Sequence, residues 1–357
     1  MNDFIMNFHL FDDDGRGTSP LNVNWTGQTG AGQDLSPEMK TFYDRALLKC
    51  AEPNLVHDQF GQKRPIPKGN GKTIEFRKFS SLPKALTPLT EGVTPIGQKY
   101  SVTAITATIQ QYGAYIAVSD MLQLTAFDNN MAEITRILGS QAGRTSDTIT
   151  REVLAAGTNV FYMGTNADEP ADITANDVLT VQAIKKAVTF LKRNNASPLQ
   201  GGDFVAIVHP DTVYDLWNDQ AWEEASKYAG STQIFNGEVG RLYGCRFVET
   251  TEAKVWPKGD AHGNTNVDDY GTLVLGADAF GVTSINNGGI ETITKQLGSG
   301  GTADPLNQRA TIGWKLNKVA KILANEFMVR IEHTTKFASP IEEGGGSSGG
   351  SSGGSSS

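Results

Sequence analysis

Residues 61–112 constrain the fold of this chain more than any other segment. Helix-breaking residues are frequent there, among them Pro65, Pro67, Gly69, Gly71, Pro83, Pro88 and Pro95. Residues 73–79 and 101–119 are rich in β-branched and aromatic side chains, which favours two strands. A lone two-stranded ribbon is only marginally stable in water. We therefore predict a long hairpin-like excursion, called the extended loop, that has to lie on another surface.

The clearest helical pattern covers residues 128–156. Residues of one face recur every three or four positions, at Met131, Ile134, Leu138, Ala142, Thr145, Ile149 and Val153. Asp128 is a suitable N-cap, and Gly157 is a suitable C-terminal stop. At 1.5 Å per residue the helix would be about 40 Å long, so we predict a spine for the surrounding strands.

The pattern of residues 161–300 is that of an α/β unit of normal domain size. Its predicted elements are a helix at 177–193, a strand at 204–208, a helix at 210–228 and strands near 242–249, 272–275 and 290–297. Strand-like runs at 308–316 and 319–333 cannot close a core alone, so we expect them to return beside the spine helix. The predicted fold class is α+β.

Six segments follow from this pattern. They are an N-terminal arm (1–60), the extended loop (61–112), a domain with the spine helix (113–160), the α/β domain (161–300), returning strands (301–341) and a Gly/Ser tail (342–357). The arm is Gly-rich and polar over 1–36, so we expect order only against another surface. The tail is expected to be disordered, and its composition fits an artificial linker as well as a natural tail.

Targeting and cysteine signals are weak in this sequence. No apolar run approaches the roughly 20 residues of a membrane helix. The first fourteen residues lack the basic side chains of a signal or transit peptide, so we expect folding in a cytoplasm. Cys50 and Cys245 match neither a disulfide framework nor a zinc site, which indicates two reduced thiols.

The charge pattern indicates a contact with an acidic surface. The chain has a formal net charge of −8, but residues 61–100 carry eight cationic and two anionic side chains. Acids recur at helical spacing at Asp211, Asp215, Asp219, Glu223 and Glu224. A basic ribbon and an acidic face on one chain favour head-to-tail self-association. A solvated face and contact with nucleic acid remain as alternatives.

We therefore select candidate contact residues between subunits. They are Lys63, Arg64, Lys68, Lys72, Arg77, Lys78, Lys84, Asp215, Asp219, Glu223 and Glu224.

Motifs of enzymes are absent from the sequence. Residues 68–73 resemble a phosphate loop, but Ile66 occupies the position of its first glycine and a strand follows. The five histidines form no local ligand pair, and His209 is expected to be a polar residue at a strand-to-helix turn. We therefore predict no catalytic residue, cofactor or metal, although an acidic α/β hydrolase with an extra ribbon remains open.

Four separated blocks resemble major capsid proteins of tailed bacteriophages. They are HDQFGQ at 57–62, IEFRKF at 74–79, PLTEGVTP at 88–95 and GEVGRLYG at 237–244. The closest resemblance is to the N-four-like group, whose coat proteins have the Hong Kong 97-type fold. It covers about residues 40–335 and leaves out the acidic first 35 residues and the tail.

The resemblance implies a structural role. In the family, 61–112 would be the extended E-loop that lies over the next subunit, 113–160 and 301–341 the peripheral domain, and 161–300 the axial domain. It implies assembly with copies of itself into pentamers and hexamers of an icosahedral shell, built in the host bacterial cytoplasm. That virion capsid encloses double-stranded DNA without sequence-specific binding and involves no membrane.

The resemblance also implies further partners and leaves one alternative. Scaffolding, portal and decoration proteins are the additional partners that it suggests. Some relatives crosslink through Lys and Asn, but no motif here supports that step. An encapsulin-like compartment shell with protein cargo has the same fold, and DNA inside purified particles would distinguish the two.

Overall fold

The computed structural model divides the chain into two compact units. The first unit comprises residues 1–156 and 278–324, and the second comprises 157–277 and 325–357. The structure describes residues 47, 55–80, 82–89, 91–94, 96–125, 130–164, 167–199, 201–223, 238–285, 289–299 and 304–337. Most of the predicted N-terminal arm and the whole Gly/Ser tail lie outside these residues.

The elements of the first half of the chain are as follows. They are β1 (Gln62–Lys63), β2 (Thr73–Phe79), β3 (Val102–Thr108), β4 (Gln110–Ser119), α1 (Asp120–Thr125), α2 (Asn130–Ala155), β5 (Val160–Tyr162) and α3 (Val181–Arg193). The second half contains β6 (Phe204–Val208), α4 (Pro210–Trp217), β7 (Glu238–Leu242), β8 (Cys245–Glu249), β9 (Lys254–Trp256), β10 (Asp269–Leu275), β11 (Phe280–Ser284), β12 (Glu291–Lys295), β13 (Arg309–Ile322) and β14 (Met328–His333). Short 3-10 helices cover His57–Phe60, Pro170–Asp172 and Asn325–Phe327.

Strand β13 is the centre of the first unit. The order of the strands in its sheet is β1-β11-β13-β12. Strand β4 also pairs with β13, antiparallel, from Arg309 to Lys318 of β13. Alternate residues of β13 point to opposite faces of the sheet. Ile312, Trp314 and Leu316 share a buried cluster with the α2 residues Leu138 and Ala142. Helix α2 therefore covers one face of this sheet.

The spine helix predicted over 128–156 is confirmed as α2, with bounds Asn130–Ala155. Four polar residues of α2 are also buried: Thr135, Ser146, Asp147 and Thr150. Burial of such groups is unfavourable unless they are hydrogen-bonded, so they indicate a polar network within the unit.

The second unit is built on a sheet of order β5-β14-β10-β6-β8-β7, with β9 beside β10. Every residue of β6 and β10 is buried, as expected for central strands. Helices α3 and α4 add Ile184, Leu191 and Leu216 to the core of the unit. His209 caps α4 by accepting a hydrogen bond from the Asp211 N–H, which confirms the predicted polar turn.

Two predicted helices have different bounds in the structure. The predicted helix 177–193 begins at Val181, because Thr180 adopts extended backbone and caps it. The predicted helix 210–228 is interrupted after Trp217, where Asn218 forms the C-cap, and helical backbone resumes over residues 220–223.

Strand pairing places some segments differently from the sequence-based division. Strands β11 and β12, which we placed in the α/β domain 161–300, pair with β13 in the first unit. The run 319–333 is interrupted by the 3-10 helix Asn325–Phe327, and β14 pairs with β10 in the second unit. The C-terminal part of the chain therefore contributes a strand to each of the two sheets. The pairing partners of these strands lie far away in sequence, so the local sequence pattern did not show this division.

A neutral histidine is buried in the second unit. His333 is fully buried, and its Nε2 atom lies 2.9 Å from Thr272 Oγ1. Its Nδ1 atom lies 2.9 Å from the carbonyl oxygen of Thr334. Burial lowers the pKa of His333 to about 4. Because the unfolded pKa is higher, this residue contributes stability at neutral pH that is lost as the pH falls below about 6.5.

We expect His333→Gln to remove this pH dependence. Between pH 7 and pH 5, the free energy of unfolding of the wild type should fall by about 2 kcal/mol more than that of the variant. Burial raises the pKa of Asp269 to about 6, so this residue contributes to the pH dependence of the unfolding free energy with the opposite sign. That contribution is the same in the wild type and the variant, and it therefore cancels in the difference between them. Chemical denaturation of the unassembled protein at both pH values measures the difference, and equal pH slopes would contradict the prediction.

Candidate assembly surface

The stem of the extended loop is a regular antiparallel ribbon. Strands β2 and β3 pair over seven residues, from Thr73–Thr108 to Phe79–Val102. Phe76 is the buried residue of β2, and it packs on Gly281 of β11. A Cβ atom at Gly281 would lie only 2.9 Å from the Phe76 ring, so this contact requires glycine. The base of the ribbon is therefore fixed to the sheet of the first unit.

The tip of the extended loop exposes many apolar side chains. Leu86 is 81% exposed and Ile96 is 97% exposed, values close to those of an unfolded chain. Other exposed large apolar residues between 79 and 102 are Phe79, Leu82, Leu89, Val93, Tyr100 and Val102. Soluble monomers rarely expose so many large apolar side chains in one segment, and such surfaces mark interaction sites.

A buried ion pair anchors the chain just before the loop. The Lys318 ammonium donates to the Asp58 carboxylate at 2.7 Å and to the Ser146 carbonyl oxygen at 2.8 Å. The Lys318 side chain is only 3% exposed. Burial lowers the pKa of the Lys318 ammonium, and the Asp58 carboxylate opposes that shift. Thr150 donates a further hydrogen bond to the same carboxylate.

A second buried pair lies beside the first. The backbone N–H of His57 donates to Asp147 at 2.8 Å, and its ring Nδ1 lies 2.6 Å from the other oxygen of that carboxylate. Both side chains are fully buried. The turn His57–Phe60 is therefore joined to α2, and through Lys318 to β13, at the point where the loop departs.

The predicted basic contact residues are spread along the loop. The residues Lys63, Arg64, Lys68, Lys72, Arg77 and Lys84 are exposed, and Lys78 is half-buried. Arg77 donates to Glu75 of the same strand at 2.8 Å. The loop is thus cationic at its surface, but one of its guanidinium groups already has an acidic partner in the same chain.

The predicted acidic face over residues 211–224 does not form as one continuous helix face, because α4 ends before Asp219. Asp215 is buried and accepts the N–H of Lys336, and burial raises its pKa. Asp219 accepts the N–H of Val181 at 2.9 Å. Glu223 is exposed, whereas Glu224 lies outside the described residues. The prediction of one continuous acidic helix face is therefore wrong, and whether these acids contact another subunit stays a prediction.

Sequence reasoning missed the apolar tip and Lys318. A signal for the tip was present: the five aliphatic residues of the segment 82–96 recur at helical spacings of 4, 3, 4 and 3, but Pro83, Pro88 and Pro95 interrupt any helix there. Without a helix, these side chains have no common face to turn toward a core of their own. Lys318 gave no such signal, since Lys315 and Lys321 lie on the same strand and the sequence does not distinguish the buried lysine from these two.

Within the described ranges, no group of three or more His, Cys, Asp or Glu side chains could hold a metal ion. None of the helices in that part of the chain is both long and apolar enough to cross a membrane.

A fixed loop stem with an exposed apolar tip is a surface of the kind that mediates contacts with other proteins. A sequence model of the phage capsid protein family matches residues 99–326, more than half of the chain. The chain belongs to this family and is a structural subunit of a phage head. No curated protein matches the sequence.

Solved phage capsids have similar folds. The capsid protein of cyanophage P-SCSP1u aligns with a TM-score of 0.61 and 14% identity, over 86% of this chain and 93% of that chain. The capsid of Ralstonia phage GP4 aligns with a TM-score of 0.61 and 13% identity, over 95% and 100%. That of cyanophage Pam1 gives 0.57 and 15%, over 94% and 99%. At such identities the likeness shows a phage capsid fold of mixed helix and sheet.

We expect Lys318→Met to destabilise the first unit by about 3–5 kcal/mol, because it leaves the Asp58 carboxylate largely buried without its cation. The double variant Lys318→Met/Asp58→Leu should recover most of that loss, since both charges are then absent. Chemical denaturation of the unassembled single and double variants measures the coupling between the two residues.

Lys321→Met is the matched control for this experiment. Lys321 lies on the same strand but is exposed, so its replacement should change the free energy of unfolding by less than about 0.5 kcal/mol. A loss from Lys318→Met no larger than that of the control would contradict a structural role for the buried pair.

Proposed function

We propose that this chain is a Hong Kong 97-type subunit that assembles into the pentamers and hexamers of an icosahedral head around double-stranded DNA. In this proposal, residues 61–112 are the E-loop, and the segments 113–160 and 301–341 belong to the peripheral domain. The axial domain is the segment 161–300, adjusted by the pairing of β11 and β12 with β13. The observation that carries the proposal is the exposed apolar tip of the loop in a single chain.

The apolar tip would supply most of the binding energy between subunits. Full burial of one Leu or Ile side chain is favourable by roughly 1.5–3 kcal/mol. Several such side chains on one loop provide a strong contact, provided that the loop is already held in place. The anchored stem and the buried pairs at the base support this, because a pre-ordered loop loses less conformational entropy on binding.

The basic residues of the loop would orient that contact. Lys63, Arg64, Lys68, Lys72 and Lys84 are exposed, and exposed charges contribute more to the rate and specificity of association than to its affinity. Asp215 and Asp219 already accept hydrogen bonds within their own unit, which weakens the case for them as the acidic partner of the loop, and their contact with another subunit stays a prediction. We therefore replace the contact predicted from charge alone with an apolar contact of the loop tip that cationic side chains surround.

The remaining expectations rest on the family resemblance. They are assembly in the host bacterial cytoplasm, scaffolding, portal and decoration partners, and enclosed DNA. Nuclease-resistant DNA in purified particles would support a phage head, whereas particles that hold only protein would favour a compartment shell of the encapsulin type.

We expect the double variant Leu86→Ser/Ile96→Ser to block shell formation. Removing two aliphatic anchors costs about 3–6 kcal/mol per contact, which weakens each contact by at least about a hundredfold. Both side chains are exposed in the isolated chain, so the free energy of unfolding should be unchanged. Sedimentation velocity and electron microscopy of the expressed protein measure assembly.

Two variants accompany this test. Leu306→Ser removes a leucine that is 73% exposed but lies outside the loop, and it should assemble normally. Arg77→Glu/Lys78→Glu reverses two loop charges and should slow assembly without abolishing it, with a larger effect at low salt. Normal shells from the Leu86→Ser/Ile96→Ser variant would overturn the proposed contact.

A further inference from the structure

An open groove crosses the sheet of the first unit on the face that α2 does not cover. Its volume is about 630 Å³, and it is lined by residues of β4, β12 and β13. Ile312 and Trp314 point toward α2, so their neighbours Thr311 and Gly313 point into the groove. The exposed side chains Tyr115 and Ile293 form apolar walls.

Two glycines make the floor of this groove. Gly313 pairs with Tyr115, and Gly113 pairs with Lys315. A Cβ atom at Gly313 would lie 2.8 Å from the Cβ of Tyr115, and one at Gly113 would lie 2.6 Å from a backbone oxygen. Both positions therefore require glycine, and the resulting floor is bare backbone over which apolar side chains of an occupant can lie.

The rim of the groove is cationic. It carries Lys295, Arg309 and Lys315. Asp304 is the acid in the lining, but it is buried and accepts the N–H of Arg309 at 2.8 Å. Glu291 lies 3.6 Å from the Lys315 ammonium and offsets part of this charge. A well-matched occupant is thus apolar in its middle and acidic at one end.

The first fourteen residues of the chain have this composition. The sequence DFIMNFHLFDDD at 3–14 contains six large apolar residues, namely Phe4, Ile5, Met6, Phe8, Leu10 and Phe11. Asp3 precedes them, Asp12, Asp13 and Asp14 follow, and the segment contains no lysine or arginine. These residues lie outside the described part of the chain.

The length of the chain allows this segment to reach the groove of its own unit. Leu47 is buried in the cluster between α2 and β13, on the opposite face of the same sheet. The thirty-three residues from Asp14 to Leu47 can span at most about 110 Å. A compact unit of some 200 residues has a radius of gyration of about 16 Å, so the connection is long enough to pass around the sheet.

We propose that residues 3–14 dock in the groove of their own chain. The aromatic and aliphatic side chains lie over the glycine floor between Tyr115 and Ile293, and Asp12–Asp14 pair with the cationic rim. A tether within one chain gives the segment an effective concentration in the millimolar range, which favours docking before any shell forms. This inference goes beyond the proposed function, because it concerns the unassembled chain.

A disulfide test locates the segment directly. In a Cys50→Ser background, Asp12→Cys is combined with Lys295→Cys, and the unassembled protein is mildly oxidised. Cys245 does not interfere, because it is buried and its thiol pKa is raised to about 12. We expect a crosslink within one chain, seen by mass spectrometry after proteolysis. Asp12→Cys with Lys321→Cys is the control, since Lys321 lies six residues beyond the groove on β13, and it should crosslink at least tenfold less.

A binding experiment provides a second measurement. A fluorescent peptide of residues 1–14 is titrated into the full-length chain with Phe8→Ser/Phe11→Ser, whose own segment competes only weakly for the groove. We expect saturable binding that weakens at least tenfold with Lys295→Glu/Arg309→Glu and at high salt, whereas Lys321→Glu leaves it unchanged. A crosslink only between chains, equal crosslinking at both positions, or peptide binding that ignores the rim would overturn the proposal.

Discussion

A lysine ammonium buried below the extended loop joins three parts of the first unit. Lys318 comes from the central strand β13, Asp58 from the turn before the loop, and Ser146 from helix α2. Because an unpaired charge at this depth is strongly destabilising, the three elements keep one arrangement. The direction in which the loop leaves the unit depends on that arrangement, and so does any contact that its tip makes.

The apolar side chains of the loop stem and those of the loop tip have different environments. Phe76 is buried against Gly281 within the chain, whereas Leu86 and Ile96 remain in water. Under the proposed function, this apolar surface of the tip becomes covered when the subunit binds its neighbours. The same division holds for the sheet, since α2 covers one face and the other face carries an open groove with a cationic rim.

Particular residues show why the candidate site was only partly predictable. Most basic residues of 61–100 are exposed, because side chains on a ribbon have few alternatives to solvent, but their contact with another subunit stays a prediction. The acids after 210 have the spacing of a helix face, yet Asn218 ends the helix and Asp219 binds Val181, 38 residues earlier in the chain. Helical spacing of residues in the sequence does not show where the helix ends.

The sequence by itself determined the long helix, the ribbon, the buried strand β6 and the second half of strand β10, because hydrophobic periodicity and β-branched side chains act locally. It also determined the resemblance to phage capsid proteins, which the family match confirms. The tertiary structure alone decided that β11 and β12 join β13, that β14 joins β10, and that Lys318 meets Asp58. Each of these contacts links residues far apart in sequence, and burial in three dimensions, which no local pattern encodes, selects among the possible partners.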